Sequence, residues 1–512
     1  HPDLRAGGGS RAGIEQGKRS NTKQEAHEKE EIHMVIGHHF IGNAWVAPVN
    51  GESIAVRNPS TGCEYTRIAR GTAPDIDLAV KTARRCFDEQ WSRVGPVERS
   101  RLLARLGRLV IANQDLLASI ESQDTGKPLK QASADIAVCA RYLEFYAGAC
   151  DKLHGETIPF LPGHTVLTIR EPHGVTGHII PWNYPAAMFG RSVAASLAAG
   201  NACVVKPAED ACQSYLHLAE LAAEAGFPAG VLNIVTGYGH EAGAALAEHP
   251  GIAHISFTGS PGTGTRVAEA AARHHCPVTL ELGGKSPQIV FDDADLDAAL
   301  PVICNAIVQN AGQTCSAGSR LLVQESIYER VIERLAERFA AVTVGPAEGN
   351  HDCGPLINPT QLDRVQSFLA MAECGGIKIA AQAKLAPDAP KEGYYQVPVL
   401  LRDVPHKHTL AQDEVFGPVL VAMPFKDEAD AIHLANDTAF GLVAGVWTRD
   451  GARQLRLARA FHGGQVFINC YGAGGGIELP FGGVKQSGYG REKGLEGLLS
   501  FTTVKTITLK HD

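Results

Sequence analysis

The sequence predicts an α/β fold of two units, each built on a mainly parallel sheet, and three observations carry that prediction. Five short apolar runs recur at roughly 25-residue spacing: "GVTGHIIPW" (174–182), "ACVVKP" (202–207), "GVLNIVTG" (230–237), "HISFTGS" (254–260) and "PVTLELGG" (277–284). Alanine- and leucine-rich stretches such as "SYLHLAELAAEAG" and "RVAEAAARHH" lie between them, so successive runs read as right-handed βαβ crossovers in a sheet buried on both faces. At 512 residues the chain exceeds the size at which one core stops growing, so more than one unit is expected.

From the amino terminus, residues 1–33 hold no aromatic residue, mix both charge signs and lack the apolar core of a signal peptide, so they are expected to be a disordered extension. Met34 opens a strand-like run, "MVIGHHFIGNAWV". From about 97 to 152 the pattern is helical: Leu102, Leu103, Leu106, Leu109 and Val110 recur at three- and four-residue steps. Residues 155–172, "GETIPFLPGHTVLTIREP", break it with prolines and then alternate like strands. After the five runs, a second α/β unit from about 284 to 480 offers strands at "PQIVF", "RLLVQ", "GPVLVAMPF", "GLVAGVWT" and "GQVFIN". The tail "TTVKTITLK" (502–510) alternates apolar and polar residues and is too short to fold alone. It reads as an edge strand seeking a partner, either in 155–172 or in another subunit.

Composition excludes several functions. A formal net charge of −8 argues against nucleic acid as the main partner. No run of about 18 apolar residues occurs, so no membrane span is expected. Twelve cysteines without a C-x-x-C pair suggest neither structural zinc nor a redox dithiol, but reduced thiols in the cytoplasm. His406 and His408 in "PHKH" are read as a loop, and no metal site is expected.

Chemistry concentrates where the runs end, since ligands of such sheets bind at the carboxyl ends of the strands. In "SFTGSPGTGTR" the glycines Gly259, Gly262 and Gly264 lead from a strand into a helix, which is either a phosphate approach or a plain turn. In "VVKPAED", Lys206 ends a strand and Glu209 follows three residues later. A carboxylate there could accept bonds from ribose hydroxyls, favouring NAD over a 2′-phosphorylated cofactor; a solvated pair is the alternative. In "PWNYP", two prolines fix Trp182, Asn183 and Tyr184, making Asn183 either an uncharged oxyanion donor or part of an Asx turn. In "LELGGKSP", Glu281 sits among apolar residues, where burial should raise its pKa toward the range of a general base. In "NAGQTCSAGSR", Cys315 lies in an uncluttered turn whose Gly312 and Gly318 should present amides and leave room for a substrate carbon. Cys139, Cys203 and Cys304 instead read as packing residues.

These five motifs, in this order, are followed by "EVFGPV" (414–419) and "PFGGVKQSGYGRE" (480–492). Together, over about residues 36–510, they resemble the NAD(P)-dependent aldehyde dehydrogenase superfamily. The resemblance implies a Rossmann-type cofactor domain (34–154 and 173–283), an α/β catalytic domain (284–482) and a β oligomerisation arm (155–172 and 483–512) of a homodimer or homotetramer. It implies that Cys315 is the nucleophile, that Asn183 and the Cys315 backbone amide hold the oxyanion, and that Glu281 activates water. Lys206 and Glu209 would hold the adenosine ribose; Ser260 and Gly259 would lie near the pyrophosphate. Glu414 and Phe416 would position the nicotinamide ribose and ring, and Trp182 would also bind the cofactor. NAD is the expected cofactor and NADP the less favoured one.

The implied reaction is oxidation of an aldehyde to its acid through a thiohemiacetal and a thioester. Arg191 stands where the semialdehyde-acid branch of the superfamily carries an arginine for the substrate carboxylate, and Tyr184 is placed with it at the substrate. A second arginine of that pocket is replaced by Gln309. Arg191 is thus read either as that anchor or as a structural ion pair or general tunnel residue, and the expected substrate is a semialdehyde acid, with a broad aliphatic or aromatic range as the alternative. A cysteine hydrolase and a non-catalytic binding protein are rivals from other classes, and the former lacks its local signatures.

Overall fold

The five runs that open the argument form the parallel centre of an eight-stranded sheet, in the order Leu232–Ile234, Ala202–Pro207, Val175–Ile180, His254–Thr258 and Val278–Glu281. The computed structural model describes residues 36–472 and 476–511. The expected extension 1–33, together with Met34 and residues 473–475 of the "YGAGGGIELP" loop, lies outside them.

From Val175–Ile180 the chain winds through Ala202–Pro207 to Leu232–Ile234, then crosses back to His254–Thr258 on the other side. That reversal is a topological switch point, and it opens a crevice at the carboxyl ends of the two strands that flank it. Both edges of the sheet are antiparallel. His39–Ile41 and Ala44–Val46 extend one, and Gly488–Tyr489 pairs with Val278–Glu281 at the other. The helix Ala73–Glu89 covers one face, burying Ile76, Ala79, Val80 and Ala83 at helical spacing against Val175 and Val204. Its start is fixed by Asp75, whose carboxylate accepts the Thr72 amide at 2.8 Å. The helical stretch expected from 97 to 152 is three helices, Pro96–Ala112, Gln114–Thr125 and Leu129–Ala149.

A second sheet of seven strands has the order Lys378–Gln382, Val399–Arg402, Val419–Phe425, Arg320–Gln324, Pro287–Val290, Val443–Trp447 and Gln465–Ile468. All neighbours are parallel except the first two. The first two strands were not anticipated, nor was the hairpin of Ser53–Arg57 and Glu64–Ala69. Only residues 282–286 separate the last parallel strand of the first sheet from Pro287–Val290 of the second. The carboxyl edge of one sheet thus faces segments that enter the amino edge of the other.

The tail finds its partner within the chain. Thr502–Lys510 runs antiparallel to His164–Pro172 over nine residue pairs, and Thr157–Ile158 completes a three-stranded sheet. Residues 483–501 are not in this sheet. They hold the Gly488–Tyr489 strand of the first sheet and the helix Gly494–Ser500, because Asn201 in the first unit donates to the carbonyl of Phe501 at 3.0 Å and pins the chain there.

Candidate active site

The "PWNYP" turn leaves the Val175–Ile180 strand at the switch point, and a buried charge cluster holds it. Glu121 accepts the Ala186 amide at 2.9 Å, capping the first turn after Pro185. Lys127 is buried between Glu121 (2.9 Å) and Asp135 (2.6 Å), and donates to the carbonyl of Asn183 at 3.0 Å. Asn183 is itself buried, and its Nδ2 donates to the carbonyl of Gln313 at 3.0 Å. An amide carries two N–H groups, so this bond ties Asn183 to the cysteine loop with one and leaves the other for a ligand.

The cysteine loop departs from ordinary backbone. Asn310, Ala311 and Gly312 have φ of 50°, 53° and 70° in succession, a left-handed run that costs free energy for the non-glycine pair. Side chains hold it: Asn310 Nδ2 donates to the carbonyl of Asn183 (3.0 Å), and Gln313 Nε2 to that of Asn310 (3.0 Å). Gln313 Oε1 accepts the Ile357 amide at 3.0 Å. The expectation that Gly312 and Gly318 clear space for a substrate carbon is corrected. A Cβ on Gly312 would strike the Gly417 carbonyl, and one on Gly318 would lie 2.7 Å from Gln288 Nε2. Both glycines serve close packing. Gly283 and Gly284 do the same across the loop: a Cβ on the first would strike the Glu414 carboxylate, and one on the second would lie 2.5 Å from the carbonyl oxygen of Cys315.

Cys315 borders two cavities. One, of about 550 Å³, is lined by Trp182, Asn183, Gly259, Glu281, Glu414 and Phe416. The other, of about 480 Å³, is lined by Tyr184, Met188, Arg191, Gln309, Tyr471 and Phe481. Burial pushes the Cys315 thiol up to about 12, against the pull of the Arg191 cation and the Ser316 amide. Glu281 is buried at the end of its strand, and burial holds its carboxyl well above the usual range, as its apolar setting predicts. Glu414 accepts the Gly284 amide at 2.9 Å and burial pushes it up to about 7. Phe416, at φ 59°, meets Trp182 edge-on at 5.5 Å. Tyr184 bonds Thr314 at 2.7 Å, and Lys127 lies over its ring.

Arg191 is not a free cation facing the second cavity. Its Nη2 lies 3.2 Å from Glu281, its Nε pairs with Glu492, and its guanidinium stands 4.5 Å over the Phe481 ring. With two carboxylates already on it, the expected anchor for a substrate carboxylate has its charge spent. Lys206 and Glu209 pair at 2.8 Å away from Cys315, and Lys206 packs beside Gly239 and Gly243. These glycines line a third cavity of about 470 Å³ on the far side of the His254–Thr258 strand end. Between the first and third cavities, Ser260 caps the helix Pro261–Ala272 by accepting the Thr263 amide. His406 pairs with Asp437 at 2.9 Å and His408 accepts the Leu410 amide; among the described residues no cluster suited to a metal ion is found.

Sequence reasoning missed Lys127, Glu121, Asn310, Gln313 and Glu492. Glu492 lay inside a quoted motif. Lys127 and Glu121 had a signal too, since they are charged residues in a helix-and-turn segment whose neighbours are apolar or small.

The Aldehyde dehydrogenase family model matches residues 45–507. Among curated relatives, the hydroxyisobutyraldehyde dehydrogenase of Mycolicibacterium austroafricanum is 43% identical, with 91% of this chain and 92% of that one covered. Human retinal dehydrogenase 2 is 42% identical, with 92% and 91% covered. A Burkholderia cenocepacia crystal structure assigned to the aldehyde dehydrogenases superposes with a TM-score of 0.92 at 64% identity, covering 93% of this chain and all of that one. Betaine aldehyde dehydrogenase of Staphylococcus aureus, solved with NAD+, superposes at 0.90 with 33% identity, covering 93% and 96%.

Proposed function

The chain belongs to the aldehyde dehydrogenase family, and from that premise we propose that it oxidises uncharged aldehydes to their acids with NAD, using Cys315 as nucleophile and Glu281 as base. The observation that carries this reading is the position of Cys315 between two cavities. One thiol can then meet an aldehyde from one side while a redox partner waits on the other.

The residues present fit the cofactor. Glu414 is a half-buried carboxylate on the first cavity with room to accept hydroxyl protons, and the helix after Ser260 aims its amino end between the first and third cavities. The Lys206–Glu209 pair stands beside the third, where a ribose carboxylate partner disfavours a 2′-phosphate. When bound, NAD supplies the acceptor for the hydride.

Sulfur adds to the aldehyde carbon as its proton passes to solvent, and the carbonyl oxygen gains the charge. The second N–H of Asn183 and the Cys315 amide face that oxyanion. An electron-rich oxygen on the same carbon is what makes loss of hydride feasible, and a thioester remains. Glu281 then takes a proton from water while the water oxygen adds to the thioester carbon. The C–S bond breaks, the acid departs, and the Cys315 thiolate is restored.

Substrate choice follows from Arg191. Its pairing with Glu281 and Glu492 leaves the semialdehyde reading without its anchor, while Tyr184, Met188, Tyr471 and Phe481 give the second cavity an apolar throat. Relatives named for retinal and for hydroxyisobutyraldehyde are about equally similar, which supports a broad range. The test is NADH formation from succinate semialdehyde, betaine aldehyde, benzaldehyde and hexanal. Benzaldehyde or hexanal should show the highest kcat/KM, and Cys315→Ala should lose at least about 10³-fold. A clear preference for the semialdehyde, lost in Arg191→Ala, would overturn the substrate reading. No NADH from any of them would overturn the oxidative one.

The assembly proposed is a homodimer or homotetramer through the three-stranded arm, whose Ile158, Phe160, Leu161, Val504 and Leu509 are exposed apolar residues. The compartment proposed is the cytoplasm, in keeping with twelve unpaired cysteines. Among the described residues no helix is long and apolar enough to cross a membrane.

A further inference from the structure

The segment Phe189–Val193 winds as one π-helical turn between the helices Pro185–Met188 and Ala194–Ala199. Such turns insert a residue and re-aim side chains, and they gather at functional sites. Here the turn sends two consecutive residues, Arg191 and Ser192, into one buried polar chain. Arg191 spans Glu281 and Glu492. Glu492 accepts from Ser256 at 2.7 Å, Ser256 accepts from Ser192 at 2.9 Å, and Ser192 meets His178 Nδ1 at 2.6 Å. His178 Nε2 meets the Thr176 hydroxyl at 2.9 Å.

Only one polarity satisfies these bonds. Ser256 spends its proton on Glu492 and Ser192 spends its own on Ser256, so Ser192 must accept from His178 Nδ1–H. His178 Nε2 is then the acceptor of the Thr176 proton. Burial lowers His178 to about 3, so the ring stays neutral and keeps this tautomer. Every donor in the chain therefore points toward Glu492, and this fixes the guanidinium from behind.

We propose that Arg191 is a positioning residue of the water-activating step: it orients the Glu281 carboxylate and favours its ionised form, while Thr176, His178, Ser192, Ser256 and Glu492 anchor the guanidinium. This rests on Glu281 being the base of thioester hydrolysis. The other groups whose charge reaches Glu281 are Arg491, Glu492, Lys493 and Cys315. Of these, Glu492 lies on the far side of Arg191. Removing Arg191 takes away the cation that most favours ionisation of Glu281 and leaves Glu492 beside it, so its proton is held to higher pH.

The test needs no nucleotide. A p-nitrophenyl ester acylates Cys315, and intact mass follows loss of the acyl group against pH. In Arg191→Met, acylation should persist while the acid limb of deacylation moves up by about one pH unit or more, and Arg191→Lys should restore part of it. Ser192→Ala, which cuts the chain from His178, should move the limb the same way by less. A limb that stays in place in Arg191→Met, with deacylation slowed equally at every pH, overturns the proposal. If Arg191→Met does not fold, Ser192→Ala decides by the same criterion. Failure of the unmodified chain to acylate at Cys315, judged against Cys315→Ala, would instead remove the nucleophile reading and the proposal with it.

Discussion

Two groups beside the cysteine loop, Lys285 buried and Glu414 half-buried, carry opposite charges whose ionisation the protein interior resists. Glu414 is pushed up to about 7 by burial, and Lys285 is pushed down to about 7 by burial and by the neighbouring Arg320 cation. If ribose hydroxyls donate to Glu414, the ionised carboxylate binds them better. Its ionised fraction climbs from about a tenth to about nine-tenths between about pH 6 and about pH 8. NAD affinity measured by calorimetry should therefore improve up to ~10-fold over that range, and Glu414→Gln should flatten the dependence. Among the described residues Lys285 Nζ has no hydrogen-bond partner. Its folded-state pKa lies below the unfolded value, so its cost to stability is fully present below about pH 7 and is relieved as pH rises toward about 10.5. Lys285→Met should raise Tm most at or below neutral pH, with the gain shrinking toward about pH 10. At this scale the reactive residues were legible because each sits at a strand end or in a glycine-rich turn. Lys285 stands inside "LELGGKSP", yet a buried amine and a solvated one read alike in one dimension. Arg191 shows the same blindness: an arginine can be seen in a sequence, but the carboxylates of Glu281 and Glu492 that claim it are 90 and 301 positions away.

Elements repeat the lesson with different physics. The parallel strands were legible because burial on both faces leaves continuous apolar runs between turn residues. Val399–Arg402 is just such a run, "VLLR", but it lies in a proline-rich stretch that reads as loop. Lys378–Gln382 is half exposed at the sheet edge and carries little apolar signal. The hairpin of Ser53–Arg57 and Glu64–Ala69 is masked by charged outward residues. Backbone strain before Cys315 was illegible for another reason: Ala311 announces nothing, and its φ of 53° follows from contacts made around it. Gly312→Ala combines a left-handed φ with a collision against the Gly417 carbonyl, so it should cost roughly 1–3 kcal/mol or more by chemical denaturation and lower acylation of Cys315. In the arm, deleting Thr502–Lys510 would strip nine residue pairs from His164–Pro172. Light scattering should then report a smaller assembly or aggregation, since an unpaired apolar edge either loses its mate or finds a wrong one.

For the whole molecule, what mattered was how two sheets meet. Residues 282–286 carry the chain from the carboxyl edge of one to the start of the other, and Glu281 ends the first just before Gly283 and Gly284 admit the second. The resemblance named the architecture, while spacing and periodicity alone reached only an α/β chain with two units. Neither showed that Cys315 would border both cavities, because that depends on Asn183, Gln313 and Glu414 arriving from separate segments.

The seam formed by Gly283, Gly284, Gly312 and Gly417 bears on how such a protein can evolve. The cysteine loop and the Glu414–Gly417 segment are in backbone contact there, so neither can shift alone. The far wall of the second cavity, with Val138 and Asn305, lies on the helices Leu129–Ala149 and Leu296–Val308, outside that contact. A lineage, or an engineer, can therefore change the diet of aldehydes at those two positions while the redox machinery is inherited unaltered.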